Sequence, residues 1–383
     1  MFFVNFETKC FINKLKSTNN MEMINETDRD ELIKQQYRII GSHSTVKICS
    51  WTKHSLKGEG ICYKQKFYGI QSHQCLQMST SLSCANRCVY CWRGKKAVVS
   101  KEWKWDVDEP KFIFDEAMHA QKKLLEGFGG NGVVDKKLFL ESKFPKHVAL
   151  SLTGEPIIYP RINEFVKLCD ENSISTFVVT NGTYPEAIEN LVPVTQLYLS
   201  VDSPNKELSK KVGCPLFSDY WERFQRSVKA LANKKSRTAI RITAIKDLNM
   251  FCPEGYAKII NDANVDFVEV KAYMHVGESQ FRLKREQMPF HNDVFAFAKE
   301  ILEFLPNYEL VMEQIPSRVV LLVKKEFKID GVWKTWIDFE KYSEKVNSGK
   351  DFDKFDFCKK TPEENLVVTG KNSWDGKYSE IED

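Results

Sequence analysis

Six short apolar runs, set between longer amphipathic stretches, constrain this chain more than any other feature. HVALSL (147–152), TFVVT (176–180), QLYLSV (196–201), AIRITAI (239–245), DFVEVKA (266–272) and YELVME (308–313) are β-rich and about as long as buried parallel strands. Helical periodicity occupies 112–126, 161–171, 219–233, 253–263 and 292–305, with starts at Ser218-Asp219 and Pro253-Glu254. Strand–helix units joined by crossovers of this length imply an α/β fold, a parallel sheet covered by helices. An open sheet and a partial barrel satisfy the pattern equally. In either, the working loops lie at the C-terminal ends of the strands. There the chain carries TGEP, NG and DSP after the first three runs, although each of these would also serve simply as a turn.

The 383 residues are 42% hydrophobic and 28% charged, the make-up of an ordinary globular protein. No window approaches the run of ~18 apolar residues that crosses a bilayer. MFFVNFETKCFINKLKSTNN lacks the parts of a secretory signal. A cytoplasmic protein with no membrane partner is expected, and in a reducing compartment its eleven cysteines read as ligands or redox groups rather than disulfides. Residues 1–150 hold 24 Lys and Arg against 16 Asp and Glu, the remainder 32 against 36. A basic N-terminal part suits a polyanionic partner, though many basic runs are only solvated faces.

The densest chemistry is Cys84-Ala-Asn-Arg-Cys88-Val-Tyr-Cys91. Three sulfurs spaced C-x3-C-x2-C can converge on a cubic iron–sulfur cluster and leave one iron without a protein ligand. A structural zinc site closes with four ligands, and no second close pair accompanies these three; zinc stays as the alternative. The loop resembles the signature of the radical S-adenosylmethionine (SAM) superfamily, including an aromatic residue, Tyr90, before the last cysteine. That resemblance implies an incomplete (β/α)6 barrel and a 4Fe-4S cluster on Cys84, Cys88 and Cys91. It also implies S-adenosylmethionine on the open iron as the source of a 5′-deoxyadenosyl radical. By the same resemblance Gly154 and Glu155 would hold the methionine amino group, and Thr180, Asn181, Ser200 and Asp202 the ribose and methionine carboxylate. Arg241 would face a carboxylate or pair within the barrel.

Cys49, Cys62 and Cys75 stand twelve residues apart and, by spacing alone, are equally three unrelated buried cysteines. Their neighbourhood, ICYKQKFYGIQSHQCLQMSTSLSCANRCVYCWRG, resembles the tRNA 4-demethylwyosine synthases, which build the tricyclic base of wybutosine. VKAYMHVGESQFRL (270–283), MPFH (288–291), IPSRVVLL (315–322) and WKTWIDFEKY (333–342) extend the likeness over roughly 47–340. The resemblance implies a second 4Fe-4S cluster on Cys49, Cys62 and Cys75, and a Schiff base between Lys64 and pyruvate. An amine near a cluster and away from bulk water can be made nucleophilic, and Lys66 is its nearest competitor.

The substrate implied is 1-methylguanosine beside the anticodon of phenylalanine tRNA, and the aromatic and basic runs CWRGKK (91–96) and FRLKRE (281–286) suit such a loop. Trp92, Arg93, Lys95, Lys96, Arg282, Lys284 and Arg285 are the candidates to stack on its bases and take its phosphates. Many eukaryotic members carry a flavodoxin-like electron-supplying domain, which 45 unpatterned residues cannot hold, so a separate electron donor is expected. The expected organisation is a loosely ordered extension (1–45), a second-cluster segment (46–78), a radical SAM barrel (79–345) and a polar tail (346–383), acting as a monomer. Two rivals remain: a radical enzyme acting on a small metabolite, and a zinc-stabilised RNA-binding protein. Cys10, Cys169, Cys214, Cys252 and Cys358 read as core or surface thiols.

Overall fold

The structure, a computed structural model, describes residues 22–94 and 97–372. One ten-stranded sheet runs through it. Its strands are β1 (Arg38–Ile40), β2 (Ser44–Val46), β3 (Cys75–Ser79), β4 (His147–Leu150), β5 (Ser175–Thr180), β6 (Gln196–Ser200), β7 (Arg237–Ala244), β8 (Phe267–Ala272), β9 (Tyr308–Gln314) and β10 (Val319–Lys324). The spatial order is β1-β2-β3-β4-β5-β6-β7-β8-β10-β9. From β3 to β8 every pairing is parallel. The flanking strands are antiparallel, β1 and β2 at one edge and β10 and β9 at the other. Because β1 and β9 end the sheet without meeting, it is an incomplete (β/α)6 barrel, as expected.

Side chains along a strand alternate between faces, and two separate cores record that alternation. Leu76, Met78, Val148, Leu150, Val178, Leu197, Leu199, Ile240, Ile242, Val268 and Val270 pack outward, in one core with helix residues such as Phe165, Leu231, Ile260 and Phe297. Phe177, Val179, Tyr198, Ala239 and Phe267 belong to an inner core completed by Tyr63, Phe67 and Tyr68 of the helix Tyr63–Tyr68 and by Phe327, Tyr342 and Phe357. The same alternation turns Cys75, Ser200, Arg241, Glu269 and Lys271 inward. The helices Pro110–Leu125, Ile162–Glu171, Tyr220–Ala232, Pro253–Ala263 and His291–Leu302 lie where periodicity places them, two of them opened by proline at a first-turn position where its missing N–H costs nothing.

Three expectations need correction. YELVME is a strand, but β9 is antiparallel and outside the parallel set; the sixth parallel strand is β3, whose sequence CLQMS alternates polar and apolar residues and shows no apolar run. Within 22–45 the chain is built into the fold. Asn25 caps the helix Glu26–Lys34 by accepting from the Asp28 N–H at 2.8 Å, Met23 and Ile24 pack with Leu82, and β1 and β2 follow. Residues 346–372 are likewise packed rather than a polar tail. Cys358–Lys359 pairs with Trp336–Ile337, and Phe352 and Phe355 flank the inner core. The second-cysteine segment and the barrel also share β3, since Cys75 is its first residue. Among the described residues no helix is long and apolar enough to cross a membrane.

Phe357 is fully buried, with its ring centroid 5.1 Å from Tyr342 and 6.1 Å from Phe352. Phe357→Ala should therefore cost about 3–5 kcal/mol in urea unfolding. A loss below about 1 kcal/mol would return this segment to the status of a tail.

Candidate active site

The cysteine loop leaves β3 through a run of serines and is fastened by backbone bonds. Glu155 N–H donates to Ser83 O at 2.8 Å, Val89 N–H to Val212 O at 2.9 Å and Arg87 N–H to Gly213 O at 3.0 Å. Gly154 takes φ +69°, and a Cβ there would stand 2.1 Å from Ser81 O, so only glycine lets the turn after β4 meet the loop. Cys84, Cys88 and Cys91 come together, each within the electrostatic reach of the others. Cys84 Sγ also receives Asn181 Nδ2 at 3.3 Å and Asn86 N–H at 3.4 Å.

A cleft beside these sulfurs gathers Tyr90, Asn181, Ser200 and Asp202 from three separate stretches of sequence. Asn86 of the cysteine loop and Ser203 of the DSP turn also line it, as do Trp221 and Phe224, to which no motif pointed. Tyr90 donates to one oxygen of Asp202, whose other oxygen accepts from Thr243 N–H at 3.0 Å. Thr180 is buried behind the cleft and accepts from Gly182 N–H at 3.2 Å, so it shapes the turn. Glu155 is 1% exposed; one oxygen accepts from Asn181 N–H at 2.9 Å and the other has no partner. Burial pushes its carboxyl up to about 7. Asn86 Oδ1, Ser83 Oγ and Thr153 Oγ1 are buried without partners as well. Orphaned polar atoms beside the cysteine loop suit a polar, charged ligand.

The second set also converges. Cys49 and Cys62 precede the helices Ser50–Leu56 and Tyr63–Tyr68, and both stand in the fields of Cys75 and Lys64. Lys64 is 7% exposed, its Nζ 4.7 Å from the ring centre of Tyr198 and 5.5 Å from that of Phe177. Lys66 instead donates to Glu313 O at 2.6 Å and is taken up in structure. Inward-facing Glu269 accepts from Tyr68 at 2.8 Å and Tyr63 at 3.0 Å. Arg241 lies in the fields of Tyr63, Glu269 and Asp202, and so between the two cysteine sets. Burial, then neighbouring Arg241, pushes the Lys271 ammonium down to about 8. Glu269 and Lys271 were legible in DFVEVKA as the polar members of an alternating run.

Burial pushes the thiols of Cys62 and Cys84 up to about 12 and raises those of Cys49, Cys75 and Cys88, so a cation must take the place of each proton for a thiolate to form. Among the described residues no three His, Cys, Asp or Glu side chains close on one metal-ion position. A lone zinc with sulfurs at about 2.3 Å draws them within about 4 Å of each other. A cubane bonds each cysteine to a different iron and holds the sulfurs farther apart.

The basic candidates divide by direction. Trp92 stacks on Tyr37 at 5.7 Å and 15°, with Lys47 Nζ over both rings. Arg93 donates to Leu82 O, and Arg282 donates to the carbonyls of Val89 (3.0 Å), Arg93 (3.2 Å) and Cys91. These three are engaged inside the protein. Lys284 and Arg285 are exposed, and Lys95 and Lys96 lie outside the described residues.

Residues 78–260 match the radical SAM superfamily and residues 262–324 the wyosine base formation family. The S-adenosyl-L-methionine-dependent tRNA 4-demethylwyosine synthase TYW1 of Xenopus laevis is 43% identical over 361 residues, covering 92% of this chain and 49% of that protein. The synthase of Arabidopsis thaliana is 45% identical, over 91% of this chain and 54% of its own. The chain thus spans about half the length of the curated relatives it matches. A solved TYW1 structure with a lysine-pyruvate adduct bound superposes with TM-score 0.72 at 36% identity, over 80% of this chain and 98% of that one. An archaeal TYW1 crystal structure gives TM-score 0.66 at 32% identity, over 80% and 99%.

Gly154→Ala must displace Ser81 and Leu82 or abandon its positive φ. It should cost about 1–3 kcal/mol in urea unfolding and lower the iron retained after anaerobic reconstitution. Unchanged stability and iron together would show that the turn is free to move.

Proposed function

We propose, from the premise that this chain belongs to the tRNA 4-demethylwyosine synthase family of the radical SAM superfamily, that it condenses 1-methylguanosine next to the anticodon of phenylalanine tRNA with pyruvate to give 4-demethylwyosine. The observation that carries this reading is Lys64, buried among Cys49, Cys62 and Cys75 and facing the same barrel interior as the cleft beside Cys84, Cys88 and Cys91.

Cys84, Cys88 and Cys91 would hold one 4Fe-4S cluster and Cys49, Cys62 and Cys75 a second. With S-adenosylmethionine bound, the first supplies the radical that removes hydrogen from the methyl group of 1-methylguanosine. The free oxygen of Glu155 is available to the methionine ammonium. Tyr90, through its bond to Asp202, keeps that carboxylate aimed at the cleft, where Asn181 and Ser200 offer further polar contacts.

Lys64 acts as the nucleophile toward pyruvate: its amine adds to the ketone carbon, and loss of water leaves an imine. A relative solved with a lysine-pyruvate adduct supports this role for a lysine. Tyr198 and Phe177 cover the amine and keep out the water that would hydrolyse the imine. Arg241 and Lys271 place positive charge beside the site, where the carboxylate of pyruvate requires it. The chain works as a monomer in the cytoplasm.

Reconstituted protein incubated anaerobically with S-adenosylmethionine, pyruvate, a strong reductant and phenylalanine tRNA bearing 1-methylguanosine should yield 4-demethylwyosine by nucleoside mass spectrometry. Deoxyadenosine without a changed nucleoside would move the substrate elsewhere. Borohydride should trap pyruvate on the wild-type chain and not on Lys64→Ala, which should still cleave S-adenosylmethionine; trapping on the variant would remove Lys64 from the role. Cys49→Ala, Cys62→Ala and Cys75→Ala should each lower bound iron by about half. Full iron in all three would leave one cluster.

A further inference from the structure

The connection after β8 grips the cysteine loop on one side and presents an unused ring on the other. On its inner side Arg282 donates to the carbonyls of Val89, Cys91 and Arg93, and Glu278 N–H donates to Trp92 O at 2.9 Å. Gly277, at φ +55°, passes so close that a Cβ would stand 2.6 Å from Trp92 O. Leu283 is buried with Ile245 and Tyr273, which fixes the turn from below.

Phe281 points the other way. It is 82% exposed, the most exposed of the large apolar side chains among the described residues. Lys284 and Arg285 are exposed beside it, and among the described residues neither enters an ion pair, although Glu286 stands next to them. A single bare ring with two free cations is a poor seat for an apolar protein surface, which would need a contiguous patch. It matches one unpaired base with its flanking phosphates, because a base offers a π-face to the ring while the phosphates offer charge to lysine and arginine.

We propose that Phe281 is the stacking platform for an unpaired base of the substrate RNA, with Lys284 and Arg285 on the adjoining phosphates; this rests on the reading that the chain modifies tRNA. The base on Phe281 is a neighbour of the nucleotide that reacts. The ring lies outside the barrel, whereas the reacting methyl group must reach the inward-facing site. Arg282 is a positioning residue: it ties the platform to the loop carrying Cys88 and Cys91, so that stacking sets the register of the anticodon loop relative to the cleft.

The test is binding of the phenylalanine tRNA anticodon stem-loop to the reconstituted holoprotein, read by fluorescence anisotropy. Phe281→Ala should weaken binding by about 10-fold or more, and Phe281→Trp should restore it. The double variant Lys284→Ala, Arg285→Ala should weaken binding and lower the slope of log Kd against log salt by about 1 to 2. S-adenosylmethionine cleavage without RNA should be equal in wild type and Phe281→Ala. If Phe281→Ala binds within twofold of a wild type that does bind, the platform is overturned while the tRNA reading stands. Equal losses for Phe281→Ala and Phe281→Trp would also overturn it. A wild-type chain that binds no stem-loop would overturn both.

Discussion

A half-open barrel whose inner face carries charge has to satisfy that charge from within, and much else in this structure follows from that need. Glu269 is fully buried on β8, where an unpaired carboxylate would be costly. Its partners are the hydroxyls of Tyr63 and Tyr68, both on the short helix that also bears Lys64 and follows Cys62. The bonds that stabilise the carboxylate therefore set the orientation of the helix. With Tyr63 and Tyr68 turned inward, Lys64 lies against Tyr198 and Phe177 instead of in solvent.

The same helix is held from behind by residues far away in sequence. Thr335 Oγ1 donates to Phe67 O at 2.7 Å, while Trp336 Nε1 and Asn365 Nδ2 both donate to Lys66 O at 3.0 Å. Lys66 itself reaches Glu313 O, and the Glu313 carboxylate gathers Thr369, Gly370 and His291. Three segments more than two hundred residues downstream thus close around six residues of helix. Such a helix is too short to be stable alone, so its geometry is a product of this clasp. That is why residues 346–372 are part of the site's architecture.

Legibility in the sequence tracks locality. The cysteine loop, the turns at Gly154-Glu155 and Asn181-Gly182 and the five long helices each carry a signature within a few residues, and all could be read from pattern. β3 was hidden because its inner positions, Cys75 and Gln77, are polar and break the apolar run that marks a buried strand. β9 misled for the opposite reason, since a hairpin edge strand and a barrel strand look alike when both are apolar. The 346–372 segment reads as polar because its few aromatic side chains are spaced irregularly and meet the inner core only after the chain has folded back.

The basic residues carry the sharpest form of this limit. Arg93 and Arg282 stand in runs that look like RNA-binding surface, yet their guanidinium groups are turned onto backbone carbonyls of the cysteine loop. The loop between β3 and the helix Pro110–Leu125 has few partners of its own for those carbonyls, and a buried carbonyl without a donor is costly enough to claim the nearest cation. A charge count sees only the number of arginines. Direction is decided by which backbone groups the fold leaves unsatisfied, so a chain with a cluster loop to brace spends cations internally, and the surface left for a polyanion is smaller than its composition suggests.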